Sequence, residues 1–360
     1  MADIDLVEPL SFPRGVASPD ATTAFVATAD GTVAALRLDD GAPAWSSALV
    51  ASPVLATGAD VFARLAGDAA SARIDLAVLD ATTGAERRRL TLELPPRVSR
   101  MAASSGFECA FVLRGRDLIV DWSHRRAYKG GAPPPGWIED GAAEGPLRGA
   151  LRYALPDRGP TPGGTVTVAS VEGPHRPAAA GEAGRRAAPS HPYRRRGAWR
   201  RTSWPCGEAS ARMVLDAERA PPDLLLEVTP AESGSPTTTR VAEGSDLEPV
   251  VTPDGRFLLV RETVPGDGPW RVLDVLAGEL VGEAPYLEGA QLPSVLGGRL
   301  YQLVTDDPGG SPRWSIAAFD LATSELVWRS DLGTVPAASP PKLPGRGPGR
   351  PPGLKPPTDR

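Results

Sequence analysis

The chain has 360 residues, and its 40 Pro and 39 Gly make up more than a fifth of it. That density of chain-breakers excludes a long-helix protein and suits many short strands joined by tight turns. Two Cys exclude a disulfide framework, and no apolar run approaches the roughly 18 residues of a membrane-spanning helix. The net charge is −5, but residues 173–204 hold eight Arg against one acid, a local +7, and residues 339–360 add a local +4, leaving −16 on the remainder. An acidic body with two basic, breaker-rich segments predicts that those segments lie outside the folded core. The chain has no Asn, and 36 of its 39 basic residues are Arg. This skew in composition weakens any single Arg as a functional signal and removes every Asn ligand.

In chain order, Met1–Glu8 carries Asp3, Asp5 and Glu8, the opposite of a basic secretory leader. The expectation is a cytoplasmic protein. Ala35–Trp45 then supplies the first copy of a repeat, and Val78–Gly84 the second. Phe107, Cys109 and Phe111 alternate in one strand, Leu118–Asp121 makes the next, and Leu151–Leu155 with Thr165–Val171 predicts another hairpin. The Arg- and Pro-rich segment 173–204 interrupts the pattern. Strands over Ala211–Leu215, Leu224–Val228 and Thr238–Val241 follow, then a third copy at Val272–Gly278 and a fourth at Ala318–Trp328. Residues 339–360, with eight Pro and four Gly, read as a disordered tail.

The shared pattern is apolar-apolar-Asp-x-x-x-Gly, with Trp four residues beyond the Gly in the first and last copies. Its members are Gly41 and Trp45, Asp80 and Gly84, Asp274 and Gly278, and Asp320 and Trp328; Arg37 stands in for Asp in the first copy and Ser324 for Gly in the last. The pattern predicts a hairpin: the carboxylate accepts turn N–H groups, Gly supplies a positive φ, and the Trp packs between neighbouring sheets. A second unit, Pro then a short apolar strand then Gly, recurs at Pro53–Gly58, Pro249–Gly255 and Pro293–Gly298. Four short antiparallel strands per repeat is a propeller blade. Gly41 to Gly84 spans 43 residues and Gly278 to Ser324 spans 46. Gly84 to Gly278 spans 194, or 162 without the basic segment, about 40 for each of four steps. The expected fold is therefore all-β, a seven-bladed β-propeller of four-stranded antiparallel blades over 1–338, with the fourth blade within 136–172. Six or eight blades are the alternatives.

These Asp-Gly-Trp repeats resemble the PQQ-type repeats of quinoprotein-like β-propellers, over residues 24–95 and 245–335. That family includes quinone-dependent alcohol dehydrogenases, the propeller lipoprotein of outer-membrane β-barrel assembly, and non-catalytic relatives. In its enzymes the resemblance implies Ca²⁺ and a quinone on the axis, held by ligands that include an Asn, with a disulfide between adjacent cysteines. Here there is no Asn, and Cys109 and Cys206 are 97 residues apart. No catalytic, cofactor or metal residue carries over, and no cofactor is expected. His124, His175 and His191 are the only histidines, and no His-x-x-x-His, Cys-x-x-Cys or Gly-x-Ser-x-Gly is present. Cys109 reads as a small core residue, whereas Cys206, before a Gly, reads as open to exposure.

The expectation for function is a non-catalytic, monomeric platform that binds a protein or peptide. The alternative is a degenerate quinoprotein-type dehydrogenase, or a small-ligand binder using the axial channel. The sharpest candidate for an anionic partner, nucleic acid included, is the patch Arg194, Arg195, Arg196, Trp199, Arg200 and Arg201, where Arg interleaves with aromatics. The preferred reading of that patch is an Arg-rich insertion lying against the acidic body.

Overall fold

The computed structural model describes residues 6–66, 73–102, 107–124, 148–156, 164–171, 203–216, 223–230, 235–243, 247–252, 255–262, 268–287, 291–306 and 311–336. They form an all-β fold with one short helix. In chain order β1 (Leu6–Val7) is followed by β2 (Leu10–Phe12), β3 (Gly15–Ala17), β4 (Thr23–Ala27), β5 (Thr32–Arg37) and β6 (Pro43–Ala56). Next come β7 (Asp60–Leu65), β8 (Arg73–Asp80), β9 (Glu86–Glu93), the helix α1 (Pro96–Ala102), β10 (Phe107–Arg114), β11 (Asp117–His124), β12 (Arg148–Ala154) and β13 (Thr165–Val168). Then follow β14 (Ser203–Cys206), β15 (Ala209–Asp216), β16 (Asp223–Thr229), β17 (Thr237–Glu243), β18 (Leu247–Val251), β19 (Phe257–Glu262), β20 (Trp270–Asp274) and β21 (Glu279–Ala284). The last are β22 (Gln291–Leu296), β23 (Arg299–Asp306), β24 (Arg313–Asp320) and β25 (Leu326–Thr334).

These strands make six sheet units among the described residues. The first is β2 to β5 with the front of β6, and the second is the back of β6 with β7 to β9; the 14-residue β6 belongs to both. The third is β1-β10-β11-β12, and the fourth, fifth and sixth are β14 to β17, β18 to β21 and β22 to β25. Inside each unit neighbours pair antiparallel, as short connections require. The middle strands β4 and β5 are buried on both faces and are built from Ala, Val, Phe and Leu, because each sheet is covered by a neighbour on either side.

Apolar layers fill the seams. Phe25, Val33, Val61 and Leu79 join the first unit to the second, and Leu76, Leu90, Phe111, Leu118 and Tyr153 join the second to the third. Phe12, Val26, Tyr301 and Trp328 join the sixth to the first. Trp270, Val272, Leu300 and Phe319 join the fifth to the sixth, and Met213, Leu226, Leu258 and Leu273 the fourth to the fifth. Each fully buried Leu in these layers contributes about 1.5–3 kcal/mol. Among the described residues no core cluster joins the third unit to the fourth. No described helix is long and apolar enough to cross a membrane.

The strand pairing differs from the expectation in the middle of the chain. The hairpin expected for a fourth blade does not form. Leu151–Ala154 lies in β12 and pairs with β11 as the outer strand of the third unit, while Thr165–Val168 pairs parallel with β9 at the edge of the second. Alternation marks a strand but not the sheet that receives it, and both segments meet an edge that would otherwise be open. The third unit also takes β1 from the N-terminal region, Leu6 opposite Arg114 and Val7 opposite Leu113. β2 covers the edge of β3, and the end of β25 stays in its own sheet, with Thr334 opposite Arg313.

Candidate functional site

The repeat turns share one geometry. The N–H of Gly41, Gly84, Gly278 and Ser324 each reaches the carbonyl four residues earlier, on Arg37, Asp80, Asp274 and Asp320, at 2.8–2.9 Å. The φ values at these four positions are 71°, 71°, 68° and 60°. Asp80 Oδ1 accepts the N–H groups of Thr82 and Thr83, both at 2.9 Å, and Asp274 and Asp320 do the same for the residues two and three further on. In the first copy, where Arg37 replaces Asp, Asp40 accepts the N–H of Ala42 at 2.9 Å and pairs with the Arg37 guanidinium.

Each turn is also a seat for the neighbouring sheet. Trp45 Nε1–H donates to the Ala81 carbonyl at 2.9 Å, and Trp328 Nε1–H donates to the Leu38 carbonyl at 3.1 Å. The acceptor follows the Asp80 or Arg37 position by one residue in both cases. A Cβ on Gly84 would lie 2.4 Å from Trp45 Cε3, and one on Gly41 would lie 2.5 Å from Trp328 Cε3. These glycines therefore provide floor space as well as a positive φ. Arg299 Nη1 adds a hydrogen bond to the Leu38 carbonyl at 2.6 Å, so the seam between the sixth and first units is bonded through backbone and side chain.

Where the Trp is missing, the seat is filled differently. Gly282 occupies the Trp position of the fifth unit, and a Cβ there would lie 1.9 Å from the Leu321 carbonyl oxygen; backbone meets backbone. Ser324 Oγ–H then donates to the Glu283 carbonyl at 2.8 Å. In the second unit Arg88 holds the position and its Nη1 donates to the Pro156 carbonyl at 3.3 Å. Thr239 Oγ1 lies 2.8 Å from where a Gly278 Cβ would stand.

The charged groups near these turns are tied down. Hydrogen bonds from Arg87 and the turn amides hold the Asp80 carboxyl at about 2, and Arg37 does the same to Asp40, also at about 2. Arg87 also bridges to Asp60 at 2.7 Å. Cys206 is buried, against the expectation of exposure, because β14 turns it into the layer around Met213 and Leu226. Cys109 is half-buried in the layer between the second and third units, and burial pushes its thiol up. Among the described residues no group of three or more His, Cys, Asp and Glu is placed to hold a metal. Arg194, Arg195, Arg196, Trp199, Arg200 and Arg201 lie outside the described residues, as do His175, His191 and the tail 339–360.

One surface feature was not read from the sequence. Leu280 and Val281 stand two and three residues after Gly278, and Leu326 and Val327 two and three after Ser324. All four are exposed, as is Leu276 in the turn before β21. The same positions hold Pro43 and Ala44 in the first unit and Glu86 and Arg87 in the second. The Leu-Val pairs are visible as letters. Their exposure follows from the outer edge position of β21 and β25, which only the sheet order gives.

Tandem antiparallel sheets with Asp-Gly turns that seat a Trp from the sheet before are similar to repeats of the PQQ-like type. Residues 7–123 match the family model described as outer membrane protein assembly factor BamB. A search of curated proteins found no match. Among solved structures, BamB from Moraxella catarrhalis is similar at 14% identity and a TM-score of 0.33, over 84% of this chain and 92% of that one. A variant of the isopeptidase AtxE2 with Astexin3 bound is similar at 11% identity and a TM-score of 0.42, over 93% of this chain and 53% of the isopeptidase. An acylaminoacyl peptidase from Pyrococcus horikoshii matches at 10% identity and a TM-score of 0.26, over 36% of this chain. The match spans about a quarter of that peptidase, 24% of its length.

Proposed function

We propose that the chain is a non-catalytic, monomeric β-propeller that serves as a binding platform for a protein partner. The observation that carries this reading is the exposed apolar rim formed by Leu276, Leu280 and Val281 on the fifth unit and Leu326 and Val327 on the sixth. Exposed apolar side chains repeated at matching positions of two units favour a protein partner over a small polar ligand. The frame beneath is fixed by the Gly282 backbone contact and the Ser324 hydrogen bond, so the rim is presented without much ordering at binding. The family model matched by residues 7–123 is named for a protein assembly factor, which fits the same class of role.

The propeller itself is read as six blades, one for each sheet unit. The strands that a separate fourth blade would need are already paired, β12 with β11 and β13 with β9. Ser203 and Trp204, the last residues of the Arg-rich segment 173–204, belong to β14 of the fourth unit, which corrects that end of the expected insertion.

The test is affinity capture from the source organism with three baits: the whole protein, a Leu280→Glu/Val327→Glu variant, and a variant lacking 173–202. The reading requires one protein captured by the first and third baits and lost from the second. The purified partner must then show the same loss by calorimetry. Equal capture by all three baits would contradict the rim, and loss only from the third would move the site to the Arg-rich segment.

A further inference from the structure

The seam between the sixth and first units holds an arginine unlike its fellows. Arg14 is the second residue of the two-residue turn that joins β2 to β3, with Phe12 paired to Gly15 across it. Its φ is 67°, in a region that a turn of this kind normally fills with Gly. The backbone on either side is committed. The Arg14 carbonyl accepts the N–H of Ala27 at 3.0 Å, and a Cβ on Gly15 would lie 1.9 Å from the Phe25 carbonyl oxygen. The side chain crosses the seam and lies over Trp314 at the start of β24, its guanidinium carbon 4.1 Å from the ring centroid. Its Nε is buried and has no hydrogen-bond partner. Burial pushes the guanidinium pKa down, and no described carboxylate acts in the opposite direction.

Arg261 shows the same module with its third part present. It is buried, it lies 3.7 Å from the Tyr286 ring centroid and 5.4 Å from that of Trp270, and its Nη2 meets the Glu248 carboxylate at 2.5 Å. Elsewhere in the sheets Arg87, Arg152, Arg212, Arg240, Arg313 and Arg329 each reach an acid. A guanidinium stacked on an indole can still offer its in-plane terminal N–H groups to one planar anion, and a carboxylate fits them.

We propose that Arg14 and Trp314 form a carboxylate-binding subsite on the seam between the sixth and first units, in which an external carboxylate meets the terminal Nη edge of Arg14, since its Nε is closed to solvent. The carboxylate hydrogen-bonds to the guanidinium, and Trp314 carries the apolar body attached to it. The carboxylate comes either from a peptide, as its C-terminus or an acidic side chain, or from a small free acid. The subsite rests on the seam alone, so its failure would leave the platform reading standing.

The experiment is an NMR titration of the whole protein that follows the Arg14 Nε–H and Trp314 indole N–H resonances. The probes are benzoate, benzamide, a short peptide with a free C-terminus, its C-terminal amide, and a doubly capped peptide containing one Glu. Benzoate should move both resonances in a saturable way and benzamide should not; the three peptides then separate a terminal from a side-chain source, and a response to benzoate alone assigns a small free acid. Arg14→Gln should weaken binding by about tenfold or more, the scale of a lost charge-assisted pair. Arg14→Gly suits the positive φ of the turn, so it should keep the melting temperature of the parent while losing the benzoate response. Absence of a saturable shift with every carboxylate, or an unchanged response in both variants, would overturn the assignment.

Discussion

Replacing Gly41 by Ala perturbs two things that can be separated. The added methyl would lie 2.5 Å from Trp328 Cε3, and the residue would be held at a φ of 71°. The conformational part costs about 1–2 kcal/mol for a residue with a Cβ. The overpacking part adds about 1–3 kcal/mol, because Trp328 is buried and bonded to the Leu38 carbonyl and cannot swing aside. Trp328→Ala alone should cost about 3–5 kcal/mol from the lost aromatic volume. In the Trp328→Ala background, however, Gly41→Ala should cost only its conformational part, so the double-mutant cycle should show a coupling of about 1–3 kcal/mol. Gly298 serves as the control, since its φ is 74° and nothing lies within 4 Å of its missing Cβ. Gly298→Ala should therefore match Gly41→Ala in the Trp328→Ala background. Urea unfolding followed by far-ultraviolet circular dichroism gives all the differences. Additivity of Gly41→Ala and Trp328→Ala within about 0.5 kcal/mol would refute the idea that Gly41 is a seat.

Two further outcomes follow from the turns. The Asp80 carboxyl is held at about 2 by Arg87 and the turn amides, below its ordinary 3.8. Its contribution is present above about pH 4 and is lost as the pH falls toward 2. Asp80→Asn should flatten that part of the acid-unfolding curve, and superimposable curves would contradict the linkage. At Ser324, the change to Ala removes the hydrogen bond to Glu283 and keeps the positive φ, a loss of about 1 kcal/mol. Ser324→Gly also loses the bond but relieves the backbone by about 1–2 kcal/mol, so it should be no less stable than the parent. A Gly variant weaker than the Ala variant in the same urea assay would count against this balance.

The turns were legible in the sequence because their chemistry is local. An Asp that accepts two turn amides and a Gly four residues on leave a fixed spacing, and Asp80, Asp274 and Asp320 all make those bonds. The second job of Gly41 and Gly84, as floors for Trp328 and Trp45, was half-visible in the Trp spacing. Their carbonyl acceptors at Leu38 and Ala81 were not, since a backbone acceptor leaves no letter. Gly282 and Arg88 sit where the Trp should be and look like decay of the pattern, yet each makes its own contact across a seam. Strand existence was readable from alternation, but strand destination was not. Thr165–Val168 could have paired on either side, and its parallel addition to β9, Thr165 opposite Arg89 and Val168 opposite Leu92, depends on an edge that lies 76 residues earlier. Arg14 gave no signal, because in a chain with 36 Arg its stacking on Trp314, 300 residues further on, is set only by the fold.

The proposed six-bladed arrangement of the sheet units is the central claim, and an experimental structure at side-chain resolution tests it most directly. The account predicts six blades, with β12 on β11, β13 on β9, and the Trp328 indole resting on Gly41. A separate blade built by a hairpin over residues 151–171, or a Trp328 ring turned out to solvent, would contradict it.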